Sequence, residues 1–226
     1  MAYATLAEAA SEGIQIFQTC YESISILALP NSTRVNVAMA LAYSSLEQGR
    51  AACSLMAYDP GHSYFAAIIL FRSQLEQLVR AQFFAGPATD EQLQHFLDTD
   101  TLPDQADGQK LGPKSLARIT TQHFGWETDK LATMIENNWR HLSAFAHGGR
   151  AVLGFYIGPD GIGPADVTED FIEPLVNIVL LGQLTVALAV ALSSNHEDAA
   201  VQAHLGNWLE NAQSYFAKWA PTSHKG

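Results

Sequence analysis

TMIENNWRHLSAFAHGG, residues 133–149, joins a helical apolar pattern to an ordered series of polar side chains. Leu131, Met134, Ile135, Leu142, Phe145 and Ala146 recur at helical spacing and define one apolar face. Thr133, Glu136, Arg140, Ser143 and His147 follow at steps of three and four, forming a second stripe nearly opposite the first. Gly148 and Gly149 read as the helix stop. Arg140 and His147 are separated by seven positions, which sets them within roughly 20° around the axis and about 10 Å along it. A guanidinium and a titratable imidazole on one edge suit phosphodiester chemistry: His moves protons near neutral pH, and Arg holds a phosphate and the charge that develops on it. The same spacing also fits a solvated helix face, with Glu136 and Arg140 as an i,i+4 ion pair.

Upstream, helical periodicity covers residues 2–28, with Pro30 as breaker. Asn31 or Ser32 can cap a second helix running to Tyr58, closed by Asp59, Pro60 and Gly61. A third spans His62 to Ala85. Its Phe65, Ile68, Ile69, Val79 and Phe83 share a face that also carries Arg72 and Glu76, with Arg80 at the margin. Charges on an apolar stripe need partners, so Arg72 and Glu76 are predicted to be substantially buried and bonded to each other or to a partner helix. Thr89 and Gln92 signal a short helix to Asp98, and Pro113 opens another toward His123. The helix holding residues 133–146 starts near Trp126.

Downstream, RAVLGFYIGPDGIGPADV (150–167) combines β-branched and aromatic residues with Pro-Asp-Gly, which predicts a small hairpin or an ordered loop able to shape a pocket beside His147. Thr168 caps a long apolar helix to Leu192; Asn195 caps a last one to Trp219, with Leu205, Leu209 and Phe216 facing inward. The reading is an all-α, antiparallel bundle of about six to eight helices in one domain spanning 1–226, with an irregular insertion near 150–167.

Composition narrows the function classes. With 48% apolar and 15% charged residues the chain builds a sizeable core. Two cysteines make neither a disulfide framework nor a metal-ligand spacing; this and the absence of a basic, then apolar, N-terminus predict a cytoplasmic protein. Leu175 to Leu192 is apolar enough to raise a membrane span, but Asn177, Gln183 and Thr185 within it favour a buried central helix, so no membrane is expected. His196, Glu197, Asp198 and His204 lack the pairing of a metal site, and the glycines at 158, 161 and 163 lack a dinucleotide fingerprint, so no metal or cofactor is expected. A net charge of −11 opposes a broad nucleic-acid surface; an RNA site here must be local.

With Arg140, the polar His141 directly after it, and His147 ending a helix, the chain resembles the HEPN superfamily, whose motif is Arg, four to six residues, then His. LFRSQLEQLVRAQFF (Leu70 to Phe84), SAFAHGG (Ser143 to Gly149) and IGPADVTED (Ile162 to Asp170) look like an uncharacterised bacterial family of helical proteins near HEPN domains, over roughly residues 60–195. The HEPN resemblance implies a homodimer with two Arg-His motifs facing one cleft, acting as a metal-independent ribonuclease on an RNA substrate in toxin–antitoxin or antiphage systems, with a neutralising antitoxin as partner. His147 would then transfer the proton at the ribose 2′-hydroxyl or the leaving oxygen, and Arg140 would stabilise the pentavalent phosphate. Arg72 or Glu76, outside that motif, is expected to orient them from the third helix on the strength of its place on the apolar stripe. The alternative is a non-catalytic homodimeric interaction protein or a small-ligand-binding protein with an apolar cavity around Glu76.

Overall fold

Local chemistry at the chain's punctuation sets the helices. The computed structural model describes residues 2–104, 110–125, 130–158, 161–163 and 171–220. α1 (Ala2–Ser25) stops ahead of Pro30; Ser32 then accepts a hydrogen bond from the Val35 backbone N–H (3.3 Å) and opens α2 (Thr33–Tyr58). Asp59 alone separates α2 from α3 (Pro60–Ala85), donating its N–H back to Leu55 and accepting from the His62 N–H with its carboxylate. Thr89 and Gln92 form a complete capping box at α4 (Asp90–Thr99), and Pro113 opens α5 (Pro113–Phe124). α6 is described from Lys130 to Ala146; the expected start near Trp126 lies outside the described residues, as does the expected cap at Thr168. α8 (Ile172–Leu192) and α9 (Ala199–Trp219) complete the main helices.

The insertion contains the small hairpin expected, but only after a helix. Arg150–Tyr156 is a helix, α7, and only Ile157–Gly158 (β1) and Gly161–Ile162 (β2) pair as an antiparallel ribbon, with Pro159 and Asp160 outside the described residues. Phe155 and Tyr156 explain the difference. Both rings lie near Phe65 of α3, with centroids 5.9 and 5.6 Å away, and adjacent residues reach one side from a helix but opposite sides from a strand. The described residues therefore hold nine α-helices, more than the six to eight expected, the ninth being α7.

Cross-helix contacts set directions. Ser45 donates to the Gln74 carbonyl (3.0 Å), tying the midpoints of α2 and α3 in antiparallel register. Phe17 of α1 meets Gly49 of α2, and Gly13 meets Cys53, so these two also run antiparallel. On α8, by contrast, Gly13 faces Val179, Phe17 faces Gly182, and Ala28 holds Ser194 just past the helix, so α8 runs parallel to α1. Phe17, fully buried, is the centre of this packing. A Cβ on Gly49 would stand 2.5 Å from its Cζ, and one on Gly182 2.8 Å from its Cε1, so three helices approach at distances only glycine permits.

α8 is long and apolar enough to cross a membrane, yet 61% of its most apolar window is buried within the bundle, where it packs against α1, α2, α3 and α9. It serves as the core helix expected. Asn195 does not cap α9: Asp198 takes that position, while Asn195 accepts from the Ala28 N–H (2.7 Å) and donates to the Ile26 carbonyl, satisfying backbone left open where α1 ends. On α9 the buried side is Val201, Ala212, Tyr215 and Trp219; Leu209, expected inward, is 48% exposed.

Candidate functional site

α6 lies along α3 by its apolar side. Leu131, Ala132, Ile135 and Leu142 are buried, and Phe145 packs edge-on to Phe65 (5.7 Å between centroids). Its end is a Schellman turn: Gly149 N–H donates to the Ala144 carbonyl (2.7 Å), Gly148 N–H to that of Phe145 (3.4 Å), and Gly148 adopts φ 70°. His147 is the cap residue of this turn. The aromatic group of Phe65, Phe145, Phe155 and Tyr156 then holds α7 against α3 directly beyond it.

The polar stripe divides into two parts. Arg140, His141 and His147 are exposed, and no hydrogen bond or ion pair engages the Arg140 or His147 side chain among the described residues. His141 lies against the Phe145 ring (5.9 Å). Glu136, also exposed, turns away from Arg140 to the Lys114 ammonium of α5, whose hydrogen bond holds its carboxyl below the usual range. The i,i+4 reading of Glu136 with Arg140 is thus replaced by an interhelical pair. Ser143 faces inward and is half-buried, accepting from Arg72 Nε at 3.3 Å.

Arg72 and Glu76 are substantially buried and bonded as predicted, to each other and, through Arg72, to α6. Arg72 Nη1 lies 3.2 Å from Glu76 Oε2, and Arg80 Nη2 donates to Glu76 Oε1 at 2.5 Å, with side-chain exposures of 20, 24 and 25% along Arg72, Glu76 and Arg80. The Arg72 guanidinium sits 4.7 Å over the Trp139 ring. One carboxylate thus serves two arginines, and one arginine spans from α3 to two residues of α6. Sequence reading missed Trp139, although it lies four positions after Ile135 and three before Leu142, on the apolar side. The cavity the fold forms nearby, about 780 Å³, is reached from Arg80, one turn beyond Glu76, and is walled by α4 and not by α6.

Electrostatics separate this region from the rest of the chain. Residues 110–150 carry six of the twelve Lys and Arg but three of the 23 Asp and Glu, so a cation-rich segment is set in a chain of net charge −11. Among the described residues no group of three or more His, Cys, Asp or Glu could hold a metal ion. Cys20 and Cys53 are buried, and burial pushes the Cys20 thiol up to about 12 and Cys53 up as well, so both remain protonated thiols.

The molecule is thereby defined as an all-α bundle that presents a basic helix edge over a half-buried Arg-Glu-Arg cluster. The chain belongs to a family of unknown function, DUF6988, whose model matches residues 42–203. That span contains α3, α6, α7 and α8, and encloses the 60–195 stretch in which resemblance to an uncharacterised family was read. No curated protein and no solved structure matches the chain.

Proposed function

We propose that this chain is a HEPN-like, metal-independent endoribonuclease of a toxin–antitoxin or antiphage defence system, acting in the cytoplasm as a homodimer whose α6 edges face a shared cleft. The observation that carries the reading is the joint exposure of Arg140 and His147 on one edge of α6, within the cation-rich segment of an otherwise acidic chain. The ribose 2′-oxygen attacks phosphorus as the P–O5′ bond breaks, leaving a 2′,3′-cyclic phosphate and a 5′-hydroxyl. His147 takes the 2′-hydroxyl proton or gives one to the leaving oxygen, and two copies facing each other cover both ends. Arg140 holds the charge that builds on the pentavalent phosphate. The Arg72–Ser143 hydrogen bond and the Arg72–Trp139 contact act as positioning groups that fix the rotation of α6.

A second reading, a non-catalytic homodimeric interaction protein, draws on the exposed Leu153, Ile157 and Ile162, which lie just past His147. Cleavage assays with EDTA on structured and single-stranded RNA, comparing wild type with His147→Ala, separate the two. Cyclic-phosphate ends from wild type alone support the nuclease. No cleavage by either protein, both folded and dimeric, rejects it for those substrates and leaves the interaction protein.

A further inference from the structure

We infer that the cavity between the C-terminal half of α3, α4 and residues 100–104 binds a small phosphorylated polyol, a sugar phosphate or nucleoside monophosphate, with Arg80 on the phosphate and Asp100 and Asp104 on the hydroxyls. The cavity's volume of about 780 Å³ lies within the usual range for small-molecule sites, about 300–1,000 Å³. It stands apart from the nuclease reading, since neither Arg140 nor His147 lines it.

The inner wall selects an oxyanion. Arg80 has five N–H donors; Nη2 is used by Glu76 and Nε is buried without an acceptor among the described residues, which leaves Nη1, with no bond to a described residue, for a ligand. A planar guanidinium with donors to spare, a quarter exposed at a cavity wall, matches a phosphate better than it matches solvent. His95, exposed on the same lining, places Nε2 3.2 Å from Thr101 Oγ1 and adds a second polar group to the cavity. Leu102 and the buried Leu111 supply an apolar surface for the body of the ligand.

The rim selects the remainder. Asp100 and Asp104 are exposed there, and an ionised carboxylate only accepts hydrogen bonds, so the ligand must bring donors. Hydroxyls on a sugar supply them without the second charge that an amine would add. With Glu91 also on the rim, the mouth carries three acids against Lys110, which repels an extended polyanion. A single phosphate at Arg80 is tolerated, whereas an RNA strand crossing the rim is not.

The test is calorimetric titration of the full chain with ribose 5-phosphate, adenosine 5′-monophosphate, ribose, inorganic phosphate and a short single-stranded RNA. The expected result is that ribose 5-phosphate or the monophosphate binds about tenfold or more tightly than ribose or inorganic phosphate, and that Arg80→Gln loses about that factor. Asp104→Asn, an exposed substitution that leaves the core intact, weakens the sugar phosphate severalfold and leaves inorganic phosphate unchanged. Binding of ribose 5-phosphate and the monophosphate no tighter than inorganic phosphate overturns the inference. So does unchanged binding in both folded variants, or RNA binding that is stronger than the monophosphate's and lost with Arg80→Gln.

Discussion

Glu76→Gln is the substitution that most directly tests the Arg72–Glu76–Arg80 cluster of α3. The carboxylate meets Arg80 at 2.5 Å and Arg72 at 3.2 Å, in side chains about a quarter exposed. At an effective dielectric of about 20, each pair contributes roughly 5 kcal/mol of gross attraction. Most of that is offset by the cost of drawing three ions partly out of water, so the net loss on neutralising Glu76 is about 1–3 kcal/mol. Gln keeps an acceptor for one arginine but leaves two guanidinium charges uncompensated, which places the value near 2 kcal/mol. The Arg72 contacts to Ser143 and Trp139 do not need Glu76 and survive. Urea unfolding followed by far-ultraviolet circular dichroism measures the change, with an unaltered m-value showing that only stability moved. Adding Arg72→Met tests the coupling: the double variant is expected to lose about 1 kcal/mol less than the sum of the singles. A loss from Glu76→Gln below about 0.3 kcal/mol, or additivity of the two changes, would refute the argument that Glu76 and Arg72 stabilise the fold as a coupled pair on α3.

Two further outcomes follow from the ends and flanks of α6. Gly148→Ala puts a Cβ at φ 70° and is expected to cost about 1–2 kcal/mol in the same urea experiment; a neutral result shows that the Schellman turn does not hold His147 in place. Lys114 holds the Glu136 carboxyl below its ordinary value of 4.5, so the pair stabilises the fold above about that pH and the contribution disappears as pH falls through the lowered value. Lys114→Met removes this acid-side slope from a plot of stability against pH, and an unchanged slope counts against the pair.

Much of the helix inventory was legible because its signals are local. Ser32, the Thr89–Gln92 box, Pro113 and Gly148 act within one helical turn of themselves, so their meaning does not depend on what packs nearby. Arg72 with Glu76 was legible for a related reason: charges on an apolar stripe state their own need for partners. Residues 150–156 misled because β-branched and aromatic residues suit a strand, until Phe65 supplies one surface for both Phe155 and Tyr156. Asn195 misled because its polar groups serve equally as a helix cap or as partners for backbone from a distant turn.

The candidate site divides in the same way. The order of residues alone placed Arg140 and His147 on the edge of one helix, because a helical period converts sequence spacing into angle. Only the tertiary structure decided that Glu136 answers to Lys114, that Ser143 and Trp139 receive Arg72, that α8 runs parallel to α1, and that Arg80 opens on a cavity. Each of those depends on which helices lie side by side. Periodicity sets which face of a helix is apolar, but close packing between specific side chains sets which neighbour that face meets.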